Sequence, residues 1–300
     1  MPPRSSPLPF LAAALGIGVY SLMDVLLKRM SIESGAYAAV LWRSLAGVVL
    51  LGPAFVWRAG RRGRWPDRAA VRLHLARGLA AGVSVLLFFW GLARVPMAQG
   101  VAITFLSPLI AIFLAAAALG ERVRAGALAG SAVAALGVLV IAAGEVSAAA
   151  PADAVLGTVS IFAASIVYAV SLVLLRAQAQ VADPLEVAFF GSLVIGLALL
   201  PGAPWVAGWP SAAQLLPIAA AALLGSVSAV LIAWAYARAE AQVVAPVEYS
   251  AFVWAALLGH AAFGERVSGW TLAGAGLIVA GCAVALRRPP VPVAMAEAGA

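Results

Sequence analysis

Ten apolar segments, separated by charged residues, proline and glycine, run through this chain of 300 residues. A helix that crosses a bilayer needs about 20 mostly apolar residues. A soluble domain could not bury them all, since 64% of the residues are hydrophobic and 10% are charged, against about 25% charged in soluble proteins. The sequence predicts an all-α integral membrane protein with ten transmembrane helices, at residues 9–27, 36–57, 71–93, 97–119, 125–145, 154–175, 185–201, 212–236, 241–263 and 268–286.

The basic residues predict how these spans are oriented, because short cytoplasmic loops carry an excess of Lys and Arg. With the N-terminus inside, 13 of the 19 basic residues fall on the cytoplasmic side and 4 on the other, while Arg43 and Arg77 lie within spans. Both termini are therefore predicted to be cytoplasmic. The third span is among the weakest, since its start carries Arg72, His74 and Arg77. The absence of Asn and the single lysine resemble coding by a GC-rich genome, which favours a bacterial inner membrane.

The chain repeats itself at an offset of 144 residues. This shift aligns residues 120–123 with 264–267, both Gly-Glu-Arg-Val, and residues 128–130 with 272–274, both Leu-Ala-Gly, without a gap. Because five spans separate equivalent positions, the second copy must be inverted relative to the first. The sequence thus predicts a 5+5 inverted-topology repeat, the arrangement that secondary transporters use for alternating access.

The predicted units are residues 1–148 and 149–288, followed by a disordered cytoplasmic tail at residues 289–300. Glu121 and Glu265 recur at span ends, so we expect them to act as structural caps or as partners of the neighbouring arginines, Arg122 and Arg266. Glycines that recur seven residues apart are expected to form packing seams between helices. These are Gly130, Gly137, Gly274 and Gly281.

Several motifs point to one family. Each half ends in Gly-Glu-Arg followed by a Leu-x-Gly span, and residues 21–24 with Lys28, residues 42–44 and residues 246–249 add further signals. With these motifs and its ten spans, the chain resembles the EamA-type transporters of the drug/metabolite transporter superfamily over nearly its whole length. The resemblance implies a bacterial carrier that exports or takes up amino acids, including aromatic ones, or vitamins or S-adenosylmethionine.

Three ionisable residues inside spans are candidates for solute binding: Asp24, Arg43 and Glu248. A charge at the centre of a transmembrane helix costs about 2.5–3.5 kcal/mol, so each needs a partner or a purpose. Arg43 could hold a carboxylate through a bidentate pair, and Glu248 or Asp24 could receive an ammonium group or a coupling proton. Two structural alternatives are an Arg43–Glu248 salt bridge that only fixes packing and a helical pair of Asp24 with Lys28.

Aromatic and hydroxyl side chains inside the spans could line the same cavity, because rings offer apolar and stacking contacts. His260 lies about three helical turns beyond Glu248 and could relay protons, with a hydrogen-bonded structural histidine as the alternative. The predicted lining residues are Tyr20, Trp90, Thr104, Ser107, Tyr168, Trp234, Tyr249 and Trp254.

The motifs of membrane-embedded enzymes are missing from the sequence. There is no HExxH, no nucleophile elbow and no glycine-rich phosphate loop followed by Lys. With one cysteine and two histidines, the chain is not expected to form an internal disulfide or a metal site. No metal and no cofactor are expected. The net charge of +7 fits basic cytoplasmic loops. The bilayer is therefore the expected partner, and binding of nucleic acid is not expected.

The predicted function is secondary transport of small amphipathic metabolites across the inner membrane. Export of amino acids, including aromatic and hydrophobic ones, fits the three candidate charges and the aromatic residues inside spans. The alternative is an uptake carrier for solutes that resemble S-adenosylmethionine or vitamins. Ten spans are enough for a working monomer, and a homodimer through the glycine faces stays open.

Overall fold

The computed structural model describes residues 8–63, 65–119, 125–147, 151–178, 181–236 and 249–286. These ranges contain α-helices and one 3-10 turn at Leu200–Gly202, and no β-strand. The predicted tail at 289–300 lies outside the described residues. The helices are α1 Leu8–Ser34, α2 Ala36–Arg62, α3 Arg68–Leu92, α4 Met97–Thr104, α5 Ser107–Leu119, α6 Ala125–Ser147, α7 Ala152–Gln178, α8 Pro184–Leu199, α9 Ala203–Val206, α10 Ala212–Tyr236, α11 Ser250–Phe263 and α12 Gly269–Leu286.

Six of the helical stretches are long and apolar enough to cross a membrane, which confirms the all-α membrane architecture. They are Phe10–Ser34, Ala36–Arg62, Arg68–Leu92, Ala152–Leu175, Pro184–Val206 and Ala212–Ala229. Shorter apolar helices occupy the other predicted spans, at Met97–Ala111, Leu128–Gly144, Ser250–Phe263 and Gly269–Val284. The apolar pattern therefore located the helices, while the number of ten spans stays a prediction.

The fourth predicted span is two helices rather than one. Pro108 has no backbone N–H, so it cannot donate to the carbonyl oxygen of Thr104 four residues earlier. The side chain of Thr104 turns back on α4, and its hydroxyl donates to the carbonyl oxygen of Val101 at 2.7 Å. The helix therefore stops at Thr104 and begins again at Ser107.

The helices themselves repeat at the sequence offset of 144 residues. Helices α1 and α7 both have 27 residues, and α3 and α10 both have 25. Each second member begins 144 residues after the first, and so does α12 relative to α6. The repeat that the sequence predicts is therefore present in the secondary structure.

Several helix contacts within the bundle have an equivalent contact in which every helix is replaced by its counterpart from the other half. A pseudo-twofold axis between the halves requires this. The contact of α3 with α7 has its counterpart in α1 with α10, and that of α5 with α7 in α11 with α1. Equivalent helices also pack directly on each other: α2 on α8, and α6 on α12. The rings of Phe105 and Tyr249, which occupy equivalent positions, meet edge to face with their centroids 5.1 Å apart.

A glycine seam brings α6 and α12 into close contact. A β-carbon added to Gly137 would lie 2.5 Å from the carbonyl oxygen of Gly274, and one added to Gly274 would lie 2.5 Å from that of Gly137. The equivalent pair, Gly130 and Gly281, meets in the same way. The expected role of these glycines in helix packing is therefore confirmed, and a side chain in the seam would push the two halves apart.

We predict that Gly274→Val destabilises the protein by about 1–3 kcal/mol, because overpacking a tight contact forces the backbone to move. The measurement is the thermal unfolding midpoint of purified protein in detergent. The matched control is Gly276→Val on the same helix, since a β-carbon at Gly276 meets no atom within 4 Å. Equal midpoints for the two variants would contradict a tight seam.

Candidate solute-binding site

Five polar side chains from four helices lie near one another, and we call them the central cluster. Two of them, Tyr20 and Tyr168, are 46% and 42% exposed. Tyr20 and Asp24 lie one turn apart on the same face of α1. Arg43 comes from α2, Arg77 from α3 and Tyr168 from α7. Tyr20 is within electrostatic range of all the other four, and Asp24 is within range of Arg43. The cluster therefore joins the first repeat to the first helix of the second.

Asp24 of the central cluster is buried and its two arginines are half-buried, and the described residues show no ion pair among the three. Asp24 is 5% exposed, and its Oδ1 has no hydrogen-bond partner. The Nε of Arg77 is also buried without a partner. In the part of the chain that the structure describes, none of Asp24, Arg43 and Arg77 forms an ion pair within 4.0 Å. Unpaired charge in an apolar environment is costly, so these groups are candidates for binding a charged ligand.

Two glycines make room for the arginine side chains. A β-carbon added to Gly225 of α10 would lie 3.1 Å from the Nη2 of Arg43. One added to Gly191 of α8 would lie 3.6 Å from the Nη1 of Arg77. Each guanidinium thus lies against a helix of the second repeat, and the two arginines reach the site from different sides.

Lys28 does not pair with Asp24, although the two lie one turn apart. Its ammonium group forms an ion pair with Glu265 and donates to the carbonyl oxygen of Val95 at 2.7 Å. The other carboxylate oxygen of Glu265 accepts from the backbone N–H of Met97 at 2.7 Å, at the start of α4. Glu265 therefore does act as a cap, but its ionic partner is Lys28 rather than Arg266.

This set of contacts closes one end of the bundle, which we call the Lys28 end. Lys28 is 3% exposed, and its ammonium group also lies 5.0 Å from the centre of the Phe263 ring. The contacts connect α1, the junction of α3 with α4, and the loop before α12. A buried ion pair whose remaining donors and acceptors are satisfied holds its elements firmly, and removal of one partner costs about 3–5 kcal/mol.

The opposite end, which we call the Arg58 end, is held by weaker contacts around α8. Arg58 and Arg62 lie 3.0 and 3.3 Å from Asp183, and all three side chains are partly exposed. Inside this end, His74 is fully buried, lies 2.9 Å from Glu186 and stacks on Phe190. A cavity of about 520 Å³ opens here between α2, α3 and the loop before α8.

The other predicted site residues do not all join the central cluster. Ser107 is fully buried, and its hydroxyl has no partner. Trp254 packs on Gly18 of α1. Trp90 stacks on the guanidinium of Arg94, which lies 3.6 Å from the ring centroid.

Three of the remaining candidates have contacts that favour structural roles. Thr104 bonds within α4, and Tyr249 packs on Phe105. His260 is exposed, and its Nδ1 lies 3.1 Å from the carbonyl oxygen of Glu265, as the alternative of a structural histidine expects. Glu248 and the side chain of Trp234 lie outside the described residues.

Arg77 is the member of the central cluster that the sequence prediction missed. The sequence marks it as a charge near the weak start of the third span, where an interfacial position is ordinary. In the structure α3 begins at Arg68, so Arg77 lies about 13 Å along the helix axis from that end. The Asp67 cap, which accepts from the backbone N–H of Ala70 at 2.8 Å, was the signal that the helix begins earlier.

The two-repeat helical bundle and the unpaired charges at its centre are those of a membrane carrier for small solutes. The model of the EamA-like transporter family matches residues 8–143 and 155–287. The chain therefore belongs to the EamA-like transporter family and is a multi-pass membrane transporter.

Individual relatives agree with this class. The chain is 28% identical over 287 residues to the pseudopaline exporter CntI of Pseudomonas aeruginosa, covering 93% of this chain and 95% of the exporter. It is 24% identical over 247 residues to an uncharacterized transporter of Helicobacter pylori, covering 80% and 81% of the two chains. A solved crystal structure with 24% identity superimposes with a TM-score of 0.57, over 92% of this chain and 98% of that one. Its likeness shows the same fold.

We predict that Asp24→Asn leaves the thermal unfolding midpoint unchanged or higher, because within the described residues Asp24 forms no ion pair and its Oδ1 has no hydrogen-bond partner. Lys28→Met should lower the midpoint clearly, since it leaves Glu265 buried without its partner. Both midpoints are measured on purified protein, with Glu33→Gln as the control at an exposed ion pair on the same helix. A large drop for Asp24→Asn would assign Asp24 a structural role.

Proposed function

We propose that this protein exports small amphipathic metabolites, and specifically amino acids including aromatic and hydrophobic ones, across a bacterial inner membrane by alternating access. The observation that carries the proposal is the central cluster, in which one buried carboxylate and two half-buried guanidinium groups form no ion pair within the described residues. A zwitterion supplies what such a site lacks: its carboxylate can pair with an arginine and its ammonium group with Asp24. Tyr20 and Tyr168 add aromatic surface beside these charges.

One relative supports export rather than uptake. The relative from Pseudomonas aeruginosa is a pseudopaline exporter, and its likeness covers nearly the whole of both chains. A transporter that is driven by a gradient can run either way, so the direction is set by the solute and the coupling ion. Asp24 is the described residue that could carry a coupling proton, because its carboxylate is buried next to the solute site. Glu248 stays a second candidate for this role.

The two ends of the bundle support alternating access. The predicted orientation places the Lys28 end outside and the Arg58 end in the cytoplasm. The Lys28 end is closed by a buried ion pair between the two repeats, whereas partly exposed ion pairs, which contribute little, hold the Arg58 end. Leu73, which lines the cavity at the Arg58 end, lies about one helical turn from Arg77 of the central cluster. This arrangement fits a state in which a cytoplasmic solute enters and the outer gate is shut.

Transport by purified protein in proteoliposomes tests the substrate class. We expect saturable movement of labelled Phe, Trp, Thr or Met, and a dependence on an imposed pH gradient if Asp24 carries the coupling proton. Arg43→Ala should lower kcat/KM for these amino acids at least about tenfold, because a charge-assisted bidentate pair with the carboxylate is lost. Arg29→Ala, on the exposed surface of α1, is the control.

Other outcomes of the same assay lead to different conclusions. If S-adenosylmethionine moves and the amino acids do not, the protein is a carrier of the alternative class. If Arg43→Ala transports at the rate of the parent protein while folding normally, the proposed role of Arg43 in binding the carboxylate is wrong.

Opening of the outer gate can be followed with a single cysteine. Ser31 lies on α1 three residues beyond Lys28 and is buried, so Ser31→Cys in a Cys282→Ala background reports access to the Lys28 end. We predict that the double change Lys28→Met with Glu265→Gln raises its labelling by a membrane-impermeant maleimide about tenfold or more. Removing both charges leaves neither group buried without its partner.

The control for this experiment is Arg29→Gln, which breaks an exposed ion pair one residue away and should not change the labelling. Unchanged labelling in the double variant, with a normal gel-filtration profile, would show that the pair is not the gate.

A further inference from the structure

Arg77 has no carboxylate partner within the described part of the chain, and the acidic residues at the start of α8 have other partners. Glu186 is engaged by His74 at 2.9 Å, and Asp183 by Arg58 at 3.0 Å. The groups within electrostatic range of Arg77 are the hydroxyls of Tyr20 and Tyr168. Its guanidinium is therefore a half-buried cation with no carboxylate at ion-pair distance in the described residues, while Asp24 of the central cluster lies within electrostatic range of Arg43.

A solute with one carboxylate leaves this cation unpaired. In the proposed binding mode the carboxylate of an amino acid pairs with Arg43 and its ammonium group with Asp24. Nothing in such a solute then neutralises Arg77, and an uncompensated charge in an apolar interior is costly. A second acidic group on the solute would pair with Arg77 and remove this cost.

The positions of the two arginines favour two separate anchors over one shared clamp. Arg43 reaches the site from α2 and lies against Gly225 of α10, whereas Arg77 reaches it from α3 and lies against Gly191 of α8. Two guanidinium groups that enter from different helices can hold two acidic groups at different places on one solute.

We propose that Arg77 is a second anion anchor, and that this transporter prefers amino acids that carry a second acidic group over those with one carboxylate. The proposal rests on the proposed function, since it specifies the solute for the same site. Arg77 is then a residue that determines specificity: it selects among amino-acid-like solutes by their charge.

The test compares two solutes that differ in one acidic group, L-phenylalanine and N-carboxymethyl-L-phenylalanine. Both keep the ring and a protonatable nitrogen. Their kcat/KM values are measured with the full chain in proteoliposomes. We expect the parent protein to favour the diacid about tenfold or more, as an additional charge-assisted ion pair implies. Arg77→Gln should bring the ratio of the two values close to one.

Two further variants make the result specific. Arg77→Lys keeps the charge without the planar fork, so it should retain part of the preference. Arg72→Gln makes the same chemical change at an exposed position of α3 and should leave the ratio as in the parent protein.

Each contrary result has its own meaning. Phenylalanine transport without a preference for the diacid, or a preference that survives in Arg77→Gln, overturns the role of Arg77 and leaves the proposed function intact. If the parent protein moves neither solute, the amino-acid substrate class and the role of Arg77 both fail.

Discussion

The close approach of α6 and α12 is the contact on which the relation between the two halves depends. Their backbones meet at two equivalent glycine pairs, Gly137 with Gly274 and Gly130 with Gly281. In a membrane there is no hydrophobic force between helices, so close van der Waals packing of small residues has to hold them together. Because the same contact is made twice about one axis, it fixes the pseudo-twofold relation that the other helix pairs follow.

The polar groups of the site break this symmetry. Asp24 and Tyr168 occupy equivalent positions of the repeat, yet one is a carboxylate and the other a phenol. Arg77 is equivalent to Ala221 of α10, which is a core residue. A symmetric scaffold lets the two halves exchange conformations, whereas an asymmetric solute needs asymmetric partners. The two halves share their packing but differ in their charged residues. One chain can therefore combine a symmetric scaffold with an asymmetric site.

The sequence predicts the scaffold better than the site. The length of the apolar segments locates the helices, and the offset of 144 residues locates the repeat. Both signals are reliable because they extend over many residues. The break in the fourth span was already marked by Pro108, a local signal. The partners of Lys28 were not predictable, since Glu265 lies 237 positions away, and a helical spacing of four residues to Asp24 favoured the wrong pair. Arg77 was missed because charge near a span end is ordinary, and only the true start of α3 shows that it is interior.

Helix α1 carries both the proposed solute site and the proposed outer gate, so a movement of this helix affects both. Asp24 and Lys28 lie one turn apart on one rigid helix. Asp24 belongs to the central cluster, and Lys28 belongs to the ion pair with Glu265 of the second repeat. When a solute or a proton neutralises Asp24, any shift of α1 that this causes acts on Lys28 as well. A gate on the same helix as the binding residue can respond to occupancy without a separate relay, because a bundle with two discrete packings converts a small local shift into a change of state.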